Sequence, residues 1–277
     1  MGFPASMIYP GERFDAKKLP AGSTPIKDTY ISPNDYFVIP ENDSRVIAFA
    51  RNLPCHIVIH NQNTFYLLNA IRSIDDLESD KFSDIICPSK FSANMLLDTG
   101  YKGSVTVIYP SLPDYFVPAR KILKVAYSPR KLPVESNAVI TMFRSIFPQY
   151  AKIEWQPILD LERREVARIL GEAAIYAAFS NLESLSLSVL EAMKSGCIVV
   201  GDHGGGGLDY ATETNGLWGS ANAVAQYARN VGDAISLFQA HGENNPVALA
   251  ATYAACNFSV DALRQSLESY WGVRVPR

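Results

Sequence analysis

Short apolar runs separated by polar turns dominate the chain from residue 36 onward. They are rich in Val, Ile, Phe or Tyr and lack polar alternation, which is typical of strands covered on both faces in a parallel sheet. The first 35 residues are rich in Pro, Gly and Lys without a sustained period, and we expect an irregular arm there. In the first part of the chain the apolar runs predict strands at Tyr36–Ile39, Arg45–Ala50, His56–His60, Asp84–Cys87 and Ser104–Tyr109.

Helical patterns lie between these strands, at Thr64–Ser73 and Ser89–Thr99. The second pattern has Ser89 and Ser92 as possible N-caps, because a serine hydroxyl can accept a hydrogen bond from the first free N–H groups of a helix. It ends at Gly100, a residue type that commonly follows the last helical turn.

A proline-rich segment, Pro110–Pro118, interrupts the pattern, and we expect it to link two domains. A second alternation follows it. The predicted strands are Lys124–Tyr127, Ala151–Gln156, Ala174–Phe179 and Cys197–Gly201, and the predicted helices are Glu135–Phe147, Leu161–Gly171, Ser186–Ser195 and most of the chain after Ala221. Alternation on both sides of a linker predicts an α/β fold of two doubly wound, Rossmann-like parallel-sheet domains, residues 1–118 and 119–277.

Composition narrows the classes of protein. Hydrophobic residues make up 48% and charged residues 19%, with a formal charge of −3 and a pI near 5.8, so nothing favours nucleic acid or an anionic membrane as partner. Neither a transmembrane segment nor a secretory signal is visible, and we expect a cytoplasmic location. The four cysteines are scattered without the spacing of metal ligands, which predicts reduced and mostly buried thiols and no metal site.

The chemically most informative stretch runs from Asn181 to Gly196. Glu183 follows a predicted strand, and Glu191 lies eight positions later inside a predicted helix. That helix starts near residues 184–186, so its free N–H groups and positive dipole end face the expected cleft, as an anion-binding site requires. The alternative is an ordinary amphipathic helix that carries two solvated glutamates.

These two glutamates, followed by Ala-Met, a small residue, Gly and a β-branched strand, resemble the EX7E motif of retaining GT-B glycosyltransferases, particularly the large family four. The resemblance implies that Glu183 approaches the donor sugar and that Glu191 binds the nucleotide ribose. The family usually has a Gly-Phe-Gly-Leu-like stretch after the first glutamate, where this chain has Ser184-Leu185-Ser186-Leu187. Ser184 and Ser186 are small and can donate hydrogen bonds, so we expect both to serve donor binding.

Arg130 and Lys131 follow the first predicted strand of the second domain, where the family places a basic pair on the donor diphosphate. A departing diphosphate needs neutralising charge, and this pair would supply it without a metal ion, which fits the absence of an Asp-x-Asp motif from the sequence. The alternative is a solvated basic turn.

Two further stretches follow predicted strands. The run Gly201–Tyr210 contains four consecutive glycines, of which the resemblance places Gly204 and Gly205 beside the donor; the alternative is a mobile surface loop. On the first domain, Asn61, Gln62 and Asn63 are positioned to hydrogen-bond sugar hydroxyls on the acceptor side of the cleft.

The resemblance therefore implies a metal-independent, retaining glycosyltransferase that needs no cofactor besides its nucleoside diphosphate sugar donor. The acceptor would be a glycan or another compound with a free hydroxyl, and the donor base and sugar stay open. Relatives also return their last helix to the first domain, here Val260–Tyr270. Compared with theirs, either the N-terminal domain of this chain is reduced, or the sequence lacks its original beginning. Two alternatives remain: a non-catalytic GT-B pseudoenzyme that binds a nucleotide or a partner, and a GT-B-fold nucleotide-sugar epimerase.

Overall fold

The computed structural model describes residues 5–9, 23–77 and 81–275. Residues 1–4 and 10–22 of the predicted irregular arm lie outside these ranges. Within the arm, two short strands pair in parallel, β1 (Ile8–Tyr9) and β2 (Thr24–Pro25).

The first of two larger sheets has four parallel strands in the order β3-β4-β5-β6. With its helices, which we call together the first lobe, it comprises β3 (Tyr36–Pro40), α1 (Ser44–Ala50), β4 (His56–His60), α2 (Thr64–Ala70), β5 (Phe82–Cys87), α3 (Lys90–Asp98) and β6 (Val105–Val107). Ile57, Ile59 and Ile85 point to one face and pack with Leu67 of α2 and Leu96 of α3. The central strands are therefore apolar because helices cover them.

The strand predicted at Arg45–Ala50 is wrong, because these residues form α1. The side chain of Asp43 accepts a hydrogen bond from the Arg45 backbone N–H at 2.9 Å and caps the helix. Ile47 and Ala50, one helical turn apart, are buried against the sheet. A run of six mostly apolar residues fits a buried strand and a buried helix equally well, and the capping residue in front of it decides between them.

The second sheet has five parallel strands in the order β11-β10-β9-β7-β8. With its helices, the second lobe, it comprises β7 (Ile122–Tyr127), α4 (Pro133–Ile146), β8 (Trp155–Pro157), α5 (Arg163–Glu172), β9 (Ala173–Glu183), α6 (Leu187–Lys194), β10 (Ile198–Gly205), β11 (Leu217–Trp218), α7 (Val224–His241) and α8 (Pro246–Ala255). Helices α4 and α7 pack on one face, and α5, α6 and α8 pack on the other. The α/β class with two parallel sheets is thus confirmed.

Two strands of the second sheet differ from their predicted lengths. The strand predicted at Ala151–Gln156 is shorter and later, because a 3₁₀ turn and a bend occupy residues 148–153. β10 continues past Gly201 to Gly205, where its backbone still pairs with Glu183 of β9. The glycine-rich run therefore begins as strand and turns only afterwards.

The last helix, α9 (Val260–Gly272), packs on the free face of the first sheet. Tyr270 and Trp271 cover Val58 and Ile86 there. Just beyond the helix, Arg274 forms an ion pair at 3.0 Å with Asp84 of β5, whose side chain is fully buried. The chain therefore passes between the lobes twice, through residues 108–121 and again before α9.

Candidate active site

The carboxyl ends of the two sheets face each other. Residues that follow β4, β5 and β6 hydrogen-bond to residues that follow β9 and β10. Parallel strands deliver their following loops to one edge of a sheet, so this edge-to-edge arrangement gathers loops from both lobes at one place. The predicted site residues lie on or next to these loops.

Glu183 and Lys131 meet at this edge. Glu183 is the last residue of β9, and its Oε1 lies 2.7 Å from Nζ of Lys131, which follows β7. The same ammonium donates a hydrogen bond to the carbonyl of Asn181 at 3.1 Å. Arg130 is exposed and forms no ion pair with any residue in the segments that the structure describes. The structure thus brings the predicted sugar-side carboxylate and one predicted phosphate ligand into direct contact.

Glu191 lies on α6 and is almost completely buried, with 6% of its side chain exposed. Its Oε1 accepts a hydrogen bond from Nη2 of Arg163, the first residue of α5, at 2.7 Å. Burial raises the pKa of Glu191, and the Arg163 charge opposes that rise. Glu191 is therefore not a solvated surface glutamate. Arg163 was missed in the sequence because nothing local connects it to a residue 28 positions away.

The end of β9 and the loop that joins it to α6 have an unusual backbone. Leu182 and Ser186 both adopt the left-handed conformation, with φ of 50° and 54°. Such a conformation is strained for residues other than glycine and clusters at functional sites. Ser186 precedes α6 without capping it by its side chain, and the N–H groups of Leu187 and Ser188 have no hydrogen-bond partner among the described residues. The helix start thus has free N–H groups, the feature that the predicted anion site requires.

Ser184, in the middle of this loop, contacts the first lobe directly. Its hydroxyl accepts a hydrogen bond from the Thr64 N–H at 2.9 Å, and its carbonyl accepts one from the Ser89 hydroxyl at 2.5 Å. Ser186, in contrast, stays within the second lobe, where its hydroxyl lies 2.9 Å from that of Ser180. Of the two serines predicted to bind the donor, Ser184 thus links the two lobes and Ser186 does not.

The glycine-rich turn packs between Glu183 and the first lobe. Gly204 and Gly205 have positive φ, and a Cβ at either would come within 2.9 Å of the Glu183 side chain or 2.8 Å of the Phe91 ring, respectively. A Cβ on Gly206 would collide with the backbone of Ser184. The run is therefore a packed turn beside the site and not a free surface loop.

Asp209 ends this turn and contacts the first lobe. Its carboxylate accepts hydrogen bonds from the N–H groups of Lys90 and Phe91, at 2.7 and 2.9 Å, and so caps α3 from the opposite lobe. It also accepts a 2.6 Å hydrogen bond from Tyr109, whose pKa is raised by burial and by the Asp209 carboxylate. No local pattern indicates this contact, because Asp209 and Lys90 are 119 residues apart in the chain.

The three predicted acceptor-side residues have different surroundings. Asn61 is 1% exposed and donates to Thr64 and to the Cys87 sulfur. Asn63 caps α2 and donates to the carbonyl of Leu182 at 3.1 Å, whereas Gln62 is exposed. Of the three, only Gln62 is thus exposed, Asn63 joins the two lobes, and Asn61 is buried within the first lobe.

No cluster of His, Cys, Asp and Glu in residues 5–9, 23–77 and 81–275 could hold a metal ion. Within the same ranges, no helix has the length and hydropathy needed to cross a bilayer.

Two Rossmann-like parallel-sheet lobes that meet at their strand ends, with charged groups at that edge, define the GT-B class of fold. Solved structures agree with this class. HepE from Anabaena, in complex with UDP-glucose, superposes with a TM-score of 0.64 at 15% identity, over 85% of this chain and 78% of that one. The α,α-trehalose-phosphate synthase of Burkholderia vietnamiensis gives 0.66 at 9% identity, over 88% and 73%.

Sequence comparison identifies the family. An α-1,6-glucosyltransferase of Actinobacillus pleuropneumoniae serotype 7 is 30% identical over an alignment of 258 residues, and the match covers 89% of this chain and 78% of that enzyme. No protein-family model matches the chain. At this identity and coverage, the chain belongs to the same family of glycosyltransferases as that enzyme.

Proposed function

We propose that the protein transfers a glucosyl group from UDP-glucose to the 6-hydroxyl of a carbohydrate acceptor, with retention of configuration and without a metal ion. The relative named an α-1,6-glucosyltransferase supports the sugar and the linkage. The UDP-glucose complex of a protein with the same fold supports the donor. UDP-glucose is α-configured, so an α-linked product means retention. The observation that carries the proposal is the meeting of Glu183 and Lys131 at the carboxyl edge of the second sheet, with Glu191 on the helix that follows.

The proposed donor lies along this edge. The glucose is next to Glu183, the diphosphate is between Lys131 and the open start of α6, and the ribose hydroxyls donate to Glu191. Positive charge and free N–H groups placed where the leaving diphosphate gains charge lower the barrier to breaking the sugar–phosphate bond. Arg130, exposed at the same turn, adds a second positive charge once the diphosphate is bound.

Donor binding requires a change of partners at Lys131. Its ammonium is paired with Glu183 in this structure, and it can approach a phosphate only by weakening that pair. The exchange then frees the Glu183 carboxylate to accept hydrogen bonds from the glucose hydroxyls. One rearrangement thus prepares both the phosphate contact and the sugar contact.

Acceptor binding is proposed at the first-lobe side of the cleft. Gln62 is exposed there, and Asn63 already reaches across to the loop after β9. Their amides offer donors and acceptors suited to sugar hydroxyls. Asn61 would support this wall from below through its contact with Thr64.

A nucleotide-binding pseudoenzyme is the second candidate, and a specific observation favours it. The lobes touch directly through Asn63, Thr64, Ser89 and the loop around Ser184, which narrows the space beside Glu183. A protein that stays in this arrangement would bind a nucleotide without admitting an acceptor.

A donor panel separates the candidates. We would screen UDP-, GDP-, ADP- and dTDP-glucose by thermal shift, because a ligand that binds only the folded state raises the melting temperature. Each binder is then incubated with and without a glucan acceptor, in EDTA, and followed by NMR. We expect UDP-glucose to be selected and an α-anomeric product, or slow release of α-glucose, to form.

The matched control is Glu213→Gln, which removes an exposed carboxylate on the same lobe and should retain activity, whereas Glu183→Gln should lose turnover. Binding without turnover would favour the pseudoenzyme, and interconversion of nucleotide sugars would favour an epimerase. A β-linked product would contradict retention. Activity lost in EDTA and restored by a divalent cation would contradict metal independence.

A further inference from the structure

In the ion pair between Glu191 and Arg163 the two side chains differ strongly in exposure, unlike those of the Lys131–Glu183 pair. Glu191 is 6% exposed, whereas 57% of the Arg163 side chain is exposed, and the two are 2.7 Å apart. A carboxylate taken out of water is costly unless it is paired and hydrogen-bonded. The buried Glu191 carboxylate therefore depends on Arg163 for a compensating charge, whereas the exposed Arg163 guanidinium depends little on Glu191.

Arg163 is itself held by the segment that joins the lobes. The carbon of its guanidinium lies 5.5 Å from the centre of the Phe116 ring, and Phe116 is fully buried. A cation over an aromatic face is attracted to it, and the flat guanidinium suits such stacking. The neighbouring Arg164 stacks instead on Tyr115, at 5.2 Å, and makes no ion pair with Glu191. The Arg163 guanidinium thus has a second contact, to the segment that joins the lobes, besides its ion pair with Glu191.

The pair leaves one carboxylate oxygen for a ligand. Arg163 donates to Oε1 of Glu191, and Oε2 makes no hydrogen bond to any residue in the described segments. Ribose hydroxyls are donors, and a charged carboxylate is a stronger acceptor than a protonated carboxyl group.

We infer that Arg163 is a positioning residue of the nucleotide site, which keeps the Glu191 carboxylate charged and turned toward the ribose hydroxyls of the donor. The inference rests on the proposed function, in which Glu191 binds the ribose. It adds a residue outside the two-glutamate motif, on a different helix, on which nucleotide binding depends.

Removal of the Arg163 charge should shift the pH dependence of nucleotide affinity. Burial raises the pKa of Glu191 and the Arg163 charge lowers it, so loss of that charge raises this pKa further. The other titratable groups near Glu191 are the phenols of Tyr176 on β9 and Tyr115, which lies beside Arg163. The terminal phosphates of UDP and UMP themselves titrate near pH ~6, equally in every variant. Between about pH 5.5 and pH 8.5, the difference between the variant and wild-type profiles therefore reports on Glu191.

The test uses the full chain and measures the dissociation constants of UDP and UMP by calorimetry across that window. In Arg163→Met we expect UDP and UMP to bind about tenfold more weakly or worse at the acid end, with recovery as the pH rises and the carboxyl ionises. Arg163→Lys keeps the charge and should restore most of the affinity and the wild-type profile. Arg164→Met, the matched control, should bind as the wild type does.

Three results would overturn the inference. The first is a weaker but pH-independent affinity in Arg163→Met, which means a structural role, and the second is wild-type binding in that variant. The third is a loss for UDP without a loss for UMP, which would place Arg163 on the terminal phosphate. Failure of the wild-type protein to bind UDP at every pH would contradict the proposed function and this inference together. If the melting curve shows that Arg163→Met is unfolded, Arg163→Lys becomes the deciding variant. The inference then requires that its nucleotide affinity depends on pH as that of the wild type does.

Discussion

Removing the Glu183 carboxylate should tighten the binding of UDP while it abolishes turnover. In the structure Lys131 is paired with Glu183, so the diphosphate has to compete with this carboxylate for the ammonium. Glu183→Gln keeps the shape of the side chain and removes its charge. UDP lacks the glucosyl group of the donor, so the proposed contact between Glu183 and that group plays no part in the affinity for UDP.

The size of the gain follows from the exposure of the pair. The two side chains are 20% and 22% exposed, between a surface pair and a buried one. Exposed pairs contribute about 0.2–1 kcal/mol, so release of Lys131 should strengthen UDP binding by about two- to fivefold. Lys131→Met should have the opposite and larger effect, because loss of a charge-assisted contact to a phosphate costs about 1.5–3 kcal/mol, or about ten- to a hundredfold.

The assay is a double-mutant cycle on the UDP dissociation constant. If Glu183 acts by holding Lys131, the gain from Glu183→Gln should vanish in the Lys131→Met background. Glu213→Gln controls for the general loss of one negative charge. The reasoning is refuted if Glu183→Gln weakens UDP binding, or if its gain is as large without Lys131, which would mean simple repulsion between Glu183 and the phosphates.

Three further predictions concern how the lobes are held. Arg274→Met leaves the Asp84 carboxylate buried without its cation, and should lower the free energy of unfolding by about 3 kcal/mol in urea titrations; a loss below about 1 kcal/mol would show that the pair is not needed. Gly206→Ala places a Cβ into the backbone of the loop after β9, and should lower the melting temperature and UDP affinity together, whereas Gly272→Ala, with nothing within 4 Å, should change neither. Asp209→Ala removes a cap that joins the lobes, and should cost about 1–2 kcal/mol of stability; an unchanged urea midpoint would contradict that role.

Much of the fold was readable from the sequence, because apolar runs and helix ends are local signals. Ser89 caps α3 as predicted, and its hydroxyl accepts from the Ser92 N–H at 3.0 Å. Gly100 and Gly196 follow their helices with φ of 90° and 77°, as a residue after a helix end commonly does. The strand predicted at Arg45–Ala50 failed because a short apolar run carries no period of its own.

The site was only partly readable, because its most specific contacts join distant parts of the chain. Glu183 and Glu191 share a motif of local spacing; Glu183 ends β9 at the carboxyl edge of the sheet, and Glu191 lies on the helix that follows. Arg163 and Asp209 have no such motif, and their roles depend on how α5 lies against α6 and how the two lobes meet. Local helix and strand propensities and the spacing of residues along the chain carry no information on which distant residues Arg163 and Asp209 contact.

A crystal structure of the complex with UDP tests the central claim most directly. The account predicts the diphosphate within hydrogen-bond distance of Lys131 and of the first N–H groups of α6, with the ribose hydroxyls donating to Glu191. In that complex the Lys131–Glu183 distance should have increased beyond the 2.7 Å seen here. UDP bound elsewhere, with that ion pair intact and Glu191 without a ligand, would contradict the account.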